Sequence, residues 1–227
     1  MKSLCIIPAR SGSKRILKKN IKPFMGKPII AYSIEAALKS NLFDEVMVST
    51  DSEEFAEIAK KYGAHVPFLR SEKTANDYAS TEDVIFEVLD KYKDMGQFYD
   101  VFCCLYSTAP FVSETNLKIA YEKLNNEIDS SFSVVEYSYP IQRSLLLEGK
   151  RIRMTSPEYS DTRSQDLDKR YHDAGQFYFS KVDAFYKYES LWGPNTEPLI
   201  LSELEVQDLD TMVDWKLAEM KYELLHS

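Results

Sequence analysis

Apolar positions in this chain fall into short unbroken runs, separated by stretches with helical spacing. The first run, Leu4-Cys5-Ile6-Ile7, contains no polar residue. Such a run fits a central strand covered on both faces. It stops at Pro8, where a polar loop begins. Ile29, Ile30, Ser33, Ala36 and Ala37 then share one helical face, with Pro28 suited to the first turn, where its missing N–H costs nothing. Glu45–Thr50 predicts a second strand, and Asp51 caps a helix over Glu53–Tyr62. Val66–Leu69 predicts a short strand ending at Arg70, and Ser80 or Thr81 caps a helix through Tyr92. Val101–Tyr106 is a further strand, stopped by Ser107-Thr108-Ala109-Pro110. An amphipathic segment, Asn116–Leu124, leads to a strand over Ser131–Val135. This alternation predicts an α/β fold in three layers, a mainly parallel twisted sheet with helices on both faces.

The pattern changes near Pro140. From Ile141 to Arg170 the chain is rich in Arg, Ser, Asp and Glu, with short β-like pieces such as Ser144–Leu147. We expect one domain over residues 1–227, with an excursion at about 138–172 that forms either a dimerisation subdomain or a long functional loop. Tyr171–Ser180 returns as a strand and Val182–Tyr188 as a short helix. Leu199–Leu201 is a late strand, and Thr211 caps a closing helix that carries Trp215, Leu217, Ala218 and Tyr222.

Charge and cysteine usage narrow the partners. The net charge of −8 argues against a general nucleic-acid or membrane-surface binder. Cys5, Cys103 and Cys104 lie in apolar runs without metal-ligand spacing, as buried thiols of a reducing compartment would. No signal pattern or membrane-spanning run is present, so a cytoplasmic location is expected.

Against this acidic background, Arg10, Lys14, Arg15, Lys18 and Lys19 crowd the loop after the first strand. Gly12 offers a bend, and flanking serines with free N–H groups can line an anion-binding concavity. The carboxyl end of a parallel strand is where open α/β sheets bind ligands. On charge alone, a phosphate cradle and a solvated basic loop stand level. Gly26-Lys27 is followed by Pro28 instead of Ser/Thr, which excludes a P-loop, and the single glycine of ARSGSKR excludes a dinucleotide fingerprint. No histidine accompanies a nucleophilic Ser or Cys in a pattern that would support acyl transfer.

IIPARSGSKRILKKN, STDSEE, VPFLRSE, LYSTAPFV and QDLDTMVDW occur in this order over nearly the full chain. Together they resemble the CMP-sugar-acid synthetases, cytidylyltransferases of eight- and nine-carbon 2-keto sugar acids with a Rossmann-like nucleotidyltransferase fold. PIQRSLL and RSQDLDKRYHDAGQFYF resemble the branch acting on pseudaminic acid more than the sialic acid branch. Ser11 and Leu17 depart from the Gly and Pro usual in the family.

The resemblance implies attack of a sugar hydroxyl on the α-phosphorus of CTP, giving a CMP-sugar and pyrophosphate. Arg10, Lys19 and Asp210 are the implied catalytic residues. Ser13 and Lys14 fall on the triphosphate, Asn20 and Arg70 on the nucleotide, and Pro8 and Ala9 near the cytosine. Ser80 and Thr81 either touch the nucleotide or simply cap a helix. Arg15 and Lys18 read better as surface charge. Asp208 and Asp210, two positions apart in an extended segment, share a face and suit Mg²⁺ held between carboxylates and phosphates. On the sugar side the resemblance points to Tyr106, Gln142, Arg143, Arg163, Gln165, His172 and Gln176, with Arg163 matched to the sugar carboxylate. Gln142 and Arg143 could act across a homodimer, and His172 could equally be a structural histidine. Alternatives are a legionaminic or sialic acid substrate, or a non-catalytic nucleotide-sugar binder.

Overall fold

The computed structural model describes residues 1–226. A six-stranded sheet forms the middle layer. β1 (Ser3–Pro8) lies between β4 (Glu45–Ser49) and β5 (Val101–Leu105), all parallel, with Pro8 opposite Ser49. β9 (Tyr171–Lys181) follows β5, then β6 (Ser130–Glu136) and β10 (Leu199–Leu201). β9 runs antiparallel to both β5 and β6, so the sheet is mainly parallel with one reversed strand. A small hairpin of β2 (Pro23–Phe24) and β3 (Lys27–Pro28) precedes α1 (Ile30–Ser40).

The helices divide between the two faces as the apolar alternation of the strands requires. Cys5, Ile7, Val48, Cys103 and Phe179 face α1, α2 (Glu53–Lys61) and α5 (Glu114–Glu122). Leu4, Ile6, Met47, Phe102 and Cys104 face α4 (Thr81–Asp94) and α6 (Val182–Tyr188), which follow the single-turn α3 (Glu72–Ala75). All three cysteines are buried free thiols. The closing helix α7 (Met212–His226) packs Trp215 and Tyr222 edge-on against Phe24. Thr211 caps it, exchanging hydrogen bonds with Asp214.

Several local expectations are corrected. Val66–Leu69 is not a strand: only His65 bridges Met47, through His65 N–H to the Val46 carbonyl and Val48 N–H to the His65 carbonyl. Continuing that ladder requires an N–H at residue 67, and Pro67 has none. The α2 cap is Ser52, whose Oγ accepts from Phe55 N–H, because Asp51 is committed to Ser11. Pro28 pairs in β3, before α1 begins. Gly12 does not have positive φ, and a Cβ there would meet open space; Lys18 makes the left-handed turn instead, with φ 49°.

The excursion leaves the sheet after β6 and returns at β9. Its neck closes by pairing of Glu136 with Tyr171 and a Tyr137 N–H to Arg170 carbonyl bond of 3.0 Å. Within it, β7 (Leu145–Glu148) and β8 (Arg151–Met154) form an exposed antiparallel hairpin. Among the described residues, no helix is long and apolar enough to cross a membrane.

Candidate active site

β1 is followed by α1 and β4 on one side, while the chain later returns to its other side as β5, so the strand order reverses at β1. Open α/β sheets bind ligands outside the carboxyl ends of strands at such a point. A cavity of about 490 Å³ lies here, bounded by Pro8, the basic loop, Arg70, the approach to α4, and Tyr106 to Thr108. Ten sequence-predicted residues line it: Pro8, Arg10, Ser13, Lys14, Lys19, Asn20, Arg70, Ser80, Thr81 and Tyr106. Ala9 is fully buried behind the wall, with its N–H donated to the Ser49 carbonyl at 2.9 Å.

Each cation is held differently. Arg10 Nη1 donates to Asp77 Oδ1 at 2.6 Å and to the Asn76 carbonyl at 3.3 Å, and Lys14 pairs with the other oxygen of Asp77. Hydrogen bonds from Lys14 and Arg10 lower the Asp77 pKa. Arg70 is buried, its Nε on Ser49 Oγ and its Nη2 on the Ser49 carbonyl. Burial lowers this guanidinium from 12.5 to about 10, still charged at neutral pH. Asn20 is structural: its amide donates to the Arg10 carbonyl at 2.8 Å, and its carbonyl accepts from Ser107 at 3.0 Å. Ser80 caps α4 through a reciprocal box with Asp83.

The aspartate pair meets the basic loop through packing. Ile16 from the loop and Leu209 from the Asp-Leu-Asp segment bury in one cluster with Phe24 and Trp215. Leu209 thus turns into the core, leaving Asp208 and Asp210 on the outer side. Lys19 Nζ donates to the Leu209 carbonyl at 2.8 Å and lies 3.9 Å from Asp210. Burial lowers the Lys19 pKa, partly countered by Asp210 and Asp208. Arg15 lines the cavity and reaches Asp210 at 2.6 Å, whereas Lys18 pairs outside it with Glu54. Among the described residues, no cluster of three or more His, Cys, Asp or Glu forms a metal cage. Asp208 and Asp210 are hard oxygen donors of the kind Mg²⁺ takes, but they are not among the cavity-lining residues, and Asp210 is held by Arg15 and Lys19.

The sugar-side candidates are not brought together. Only Tyr106 lines the cavity. Gln176 is buried behind it, its carbonyl accepting from Tyr106 N–H and its side-chain amide donating to the Glu205 carbonyl. Gln142 is buried within the excursion, donating to the Asp168 carbonyl at 2.8 Å. Arg143 holds the Thr162 carbonyl, and Arg163 pairs with Asp166 at 2.8 Å. Gln165 lines a separate hollow with Tyr137 and Lys169. His172 is exposed, with its ring 4.7 Å from that of Tyr137.

Sequence reasoning missed Asp77, Asn76, Thr74, Ser107 and Thr108, which hold or line the cavity, and Ser49 and Asp51 beneath it. Ser49 and Asp51 lie within STDSEE and Ser107 and Thr108 within LYSTAPFV, whereas Thr74, Asn76 and Asp77 lie in none of the quoted stretches and had only their nearness to the cap of α4 as a signal.

A cationic cavity at the switch point of a three-layer sheet defines an α/β nucleotide-binding protein. The comparisons narrow this class. A cytidylyltransferase family profile matches residues 4–208. The pseudaminic acid cytidylyltransferase of Campylobacter jejuni subsp. jejuni serotype O:23/36 (strain 81-176) is 45% identical, the match covering 100% of this chain and 98% of that one. The CMP-N,N'-diacetyllegionaminic acid synthase of Legionella pneumophila subsp. pneumophila (strain Philadelphia 1) is 35% identical, with 99% and 97% covered. The solved structure of CMP:2-keto-3-deoxy-manno-octonic acid synthetase complexed with CTP has a TM-score of 0.71 at 18% identity, covering 100% of this chain and 99% of that one, a likeness of fold. The chain belongs to the cytidylyltransferase family of nucleotidyltransferases.

Proposed function

We propose that the protein couples CTP to pseudaminic acid, a nine-carbon 2-keto sugar acid, releasing pyrophosphate. The observation that carries this reading is full-length similarity at 45% identity to a pseudaminic acid cytidylyltransferase. The cavity's chemistry supports it: a cationic loop at a strand end suits a triphosphate.

In this reading the sugar's C2 hydroxyl attacks the α-phosphorus, the α–β P–O bond breaks, and pyrophosphate carries away its electron pair. Such transfers depend on positioning and charge neutralisation more than on covalent help from the protein. Arg10 and Lys14 take phosphate oxygens now matched by Asp77. Lys19 adds a half-buried positive charge beside them, and Arg70 a buried one on the nucleotide side. Asp208 and Asp210 would hold Mg²⁺, which would offset charge on the triphosphate. We expect a cytoplasmic homodimer, with Arg143 and Arg163 serving the partner's sugar site.

The test is incubation with CTP, Mg²⁺ and pseudaminic, legionaminic or sialic acid in turn, followed by mass spectrometry. CMP-pseudaminic acid is the expected main product. A dominant product from another acid would reassign the sugar, and no CMP-sugar from any would refute catalysis.

A further inference from the structure

The peptide between Arg10 and Ser11 is gripped at both poles by side chains. Its carbonyl accepts from Asn20 Nδ2 at 2.8 Å. Its N–H donates to Asp51 Oδ1 at 2.8 Å, and Ser11 Oγ donates to the other oxygen of Asp51 at 2.7 Å. Asn20 is fixed in turn by Ser107, whose Oγ donates to Asn20 Oδ1 at 3.0 Å. Arg10 lies just past β1, Asp51 just past β4 and Ser107 just past β5. The clamp therefore ties adjacent strand ends together at the point where the strand order reverses.

The donor inventory leaves this arrangement no alternative. A carbonyl only accepts, so Asn20 must turn its NH2 to Arg10 and its oxygen to Ser107. The Ser107 hydroxyl must then be the donor. Asn20 and Ser107 are both buried, so a partner lost there is not simply replaced by water. On the opposite side, the Asp51 carboxylate accepts twice from one residue. Ser11 stands where the family usually has Gly, and it does not take positive φ. A side chain at this position removes backbone freedom and adds the second bond to Asp51.

Fixing this peptide fixes the step from the strand into the loop, and with it where Arg10 stands relative to Ser13 and Lys14. The Arg10 guanidinium, by contrast, rests on Asp77 and the Asn76 carbonyl at the exposed rim. The root is rigid, and the tip can exchange a carboxylate for a phosphate.

We propose that Asp51 and Ser107, the latter through Asn20, preset the Arg10 loop for the triphosphate and are positioning residues of the nucleotide step. This rests on the CTP reading and names residues beyond the phosphate contacts on which that step depends.

The experiment measures the CTP Kd by titration calorimetry with Mg²⁺ present, and the sugar KM at saturating CTP. It compares wild type, Asp51→Ala, Asp51→Asn, Ser107→Ala, Ser107→Thr and the Asp51→Ala/Ser107→Ala double variant. Asp51→Ala and Ser107→Ala are each expected to weaken CTP binding about tenfold while the sugar KM stays within about twofold. Asn keeps both bonds to Ser11, its oxygen accepting from the N–H and its NH2 donating to Oγ, so Asp51→Asn should bind CTP within about threefold of wild type. Ser107→Thr keeps the donor and should do the same. Either loss frees the same peptide, so the double variant should bind CTP about as each single variant does. Should Asp51→Ala fail to give a cooperative melting curve, Ser107→Ala against Ser107→Thr carries the same test. Asp51→Asn as damaging as Asp51→Ala, multiplying effects in the double variant, unchanged CTP binding in either Ala variant, or an equal rise in the sugar KM would overturn the inference while leaving the function standing. Wild-type protein that binds no CTP would overturn both, and wild type that binds CTP yet converts no sugar acid would overturn the function alone.

Discussion

Arg10 and Lys14 share one carboxylate, that of Asp77, and a triphosphate must compete with it for both cations. Exposed ion pairs are weak, so Asp77→Asn is expected to lower the CTP KM by about threefold. A rise would show that Asp77 aims Arg10 more than it blocks it. Arg10→Ala should cut kcat/KM at least about 100-fold with every sugar acid, since the nucleotide step is common to all. Arg10→Lys should recover only part, because an ammonium cannot grip two phosphate oxygens as a planar fork. For the acidic side, Asp210→Ala or added EDTA should stop product formation, and normal turnover in EDTA would remove the metal from the scheme. The loop cations were legible because they crowd one stretch, though charge alone left their role level with a solvated loop, and Arg70 was legible only through the resemblance of VPFLRSE. Their partners were not: Asp77 is 67 residues from Arg10, Asp51 is 40 from Ser11, and Ser49 is 21 from Arg70. Nothing local marks such pairs, and a lone Asp or Ser near a strand end reads equally well as a cap.

At the scale of elements, Glu87 of α4 fastens α3 and the cavity-lining stretch after it. It accepts from Ser71 N–H at 2.8 Å, Ser71 Oγ at 2.7 Å, Thr74 Oγ1 and Lys91 Nζ. Burial works to raise its pKa, but the bonds from Lys91, Thr74 and Ser71 prevail, leaving about 2 against the usual 4.5. A depressed carboxylate pKa stabilises the fold above the unfolded value and loses that contribution as the group protonates. The melting-temperature gap between wild type and Glu87→Gln should therefore be complete at pH 6 and shrink as pH falls from 4.5 towards 2. A gap independent of pH would contradict this. Strands β1, β4 and β5 were legible because they are buried on both faces and read as unbroken apolar runs. The reversal of β9 was not, since period and burial are the same for either direction. The failed strand at Val66 shows the opposite limit, where one missing N–H at Pro67 overrides good β-propensity.

At the scale of the whole molecule, the excursion carries an exposed apolar hairpin face. Leu145 stands opposite Met154 in the hairpin, and Leu147 opposite Ile152, so all four side chains share one face. Leu145, Leu147 and Ile152 are 61%, 66% and 64% exposed, while the other face carries the Arg153–Glu148 ion pair. A two-stranded hairpin is marginal in water by itself, and an apolar face of this kind needs a cover. A second copy is the cover we expect, since a self-complementary face closes symmetrically, and this chain's own Arg143 and Arg163 do not line its cavity. Light scattering of the purified protein should therefore give about twice the chain mass of 26.3 kDa. Leu147→Asp with Ile152→Asp should give the monomer. CTP binding, which uses residues of one chain, should survive in that monomer, while the sugar KM should rise about tenfold or more. A wild-type monomer with full sugar turnover would show that the excursion serves its own subunit, and Arg143 and Arg163 would then leave the site.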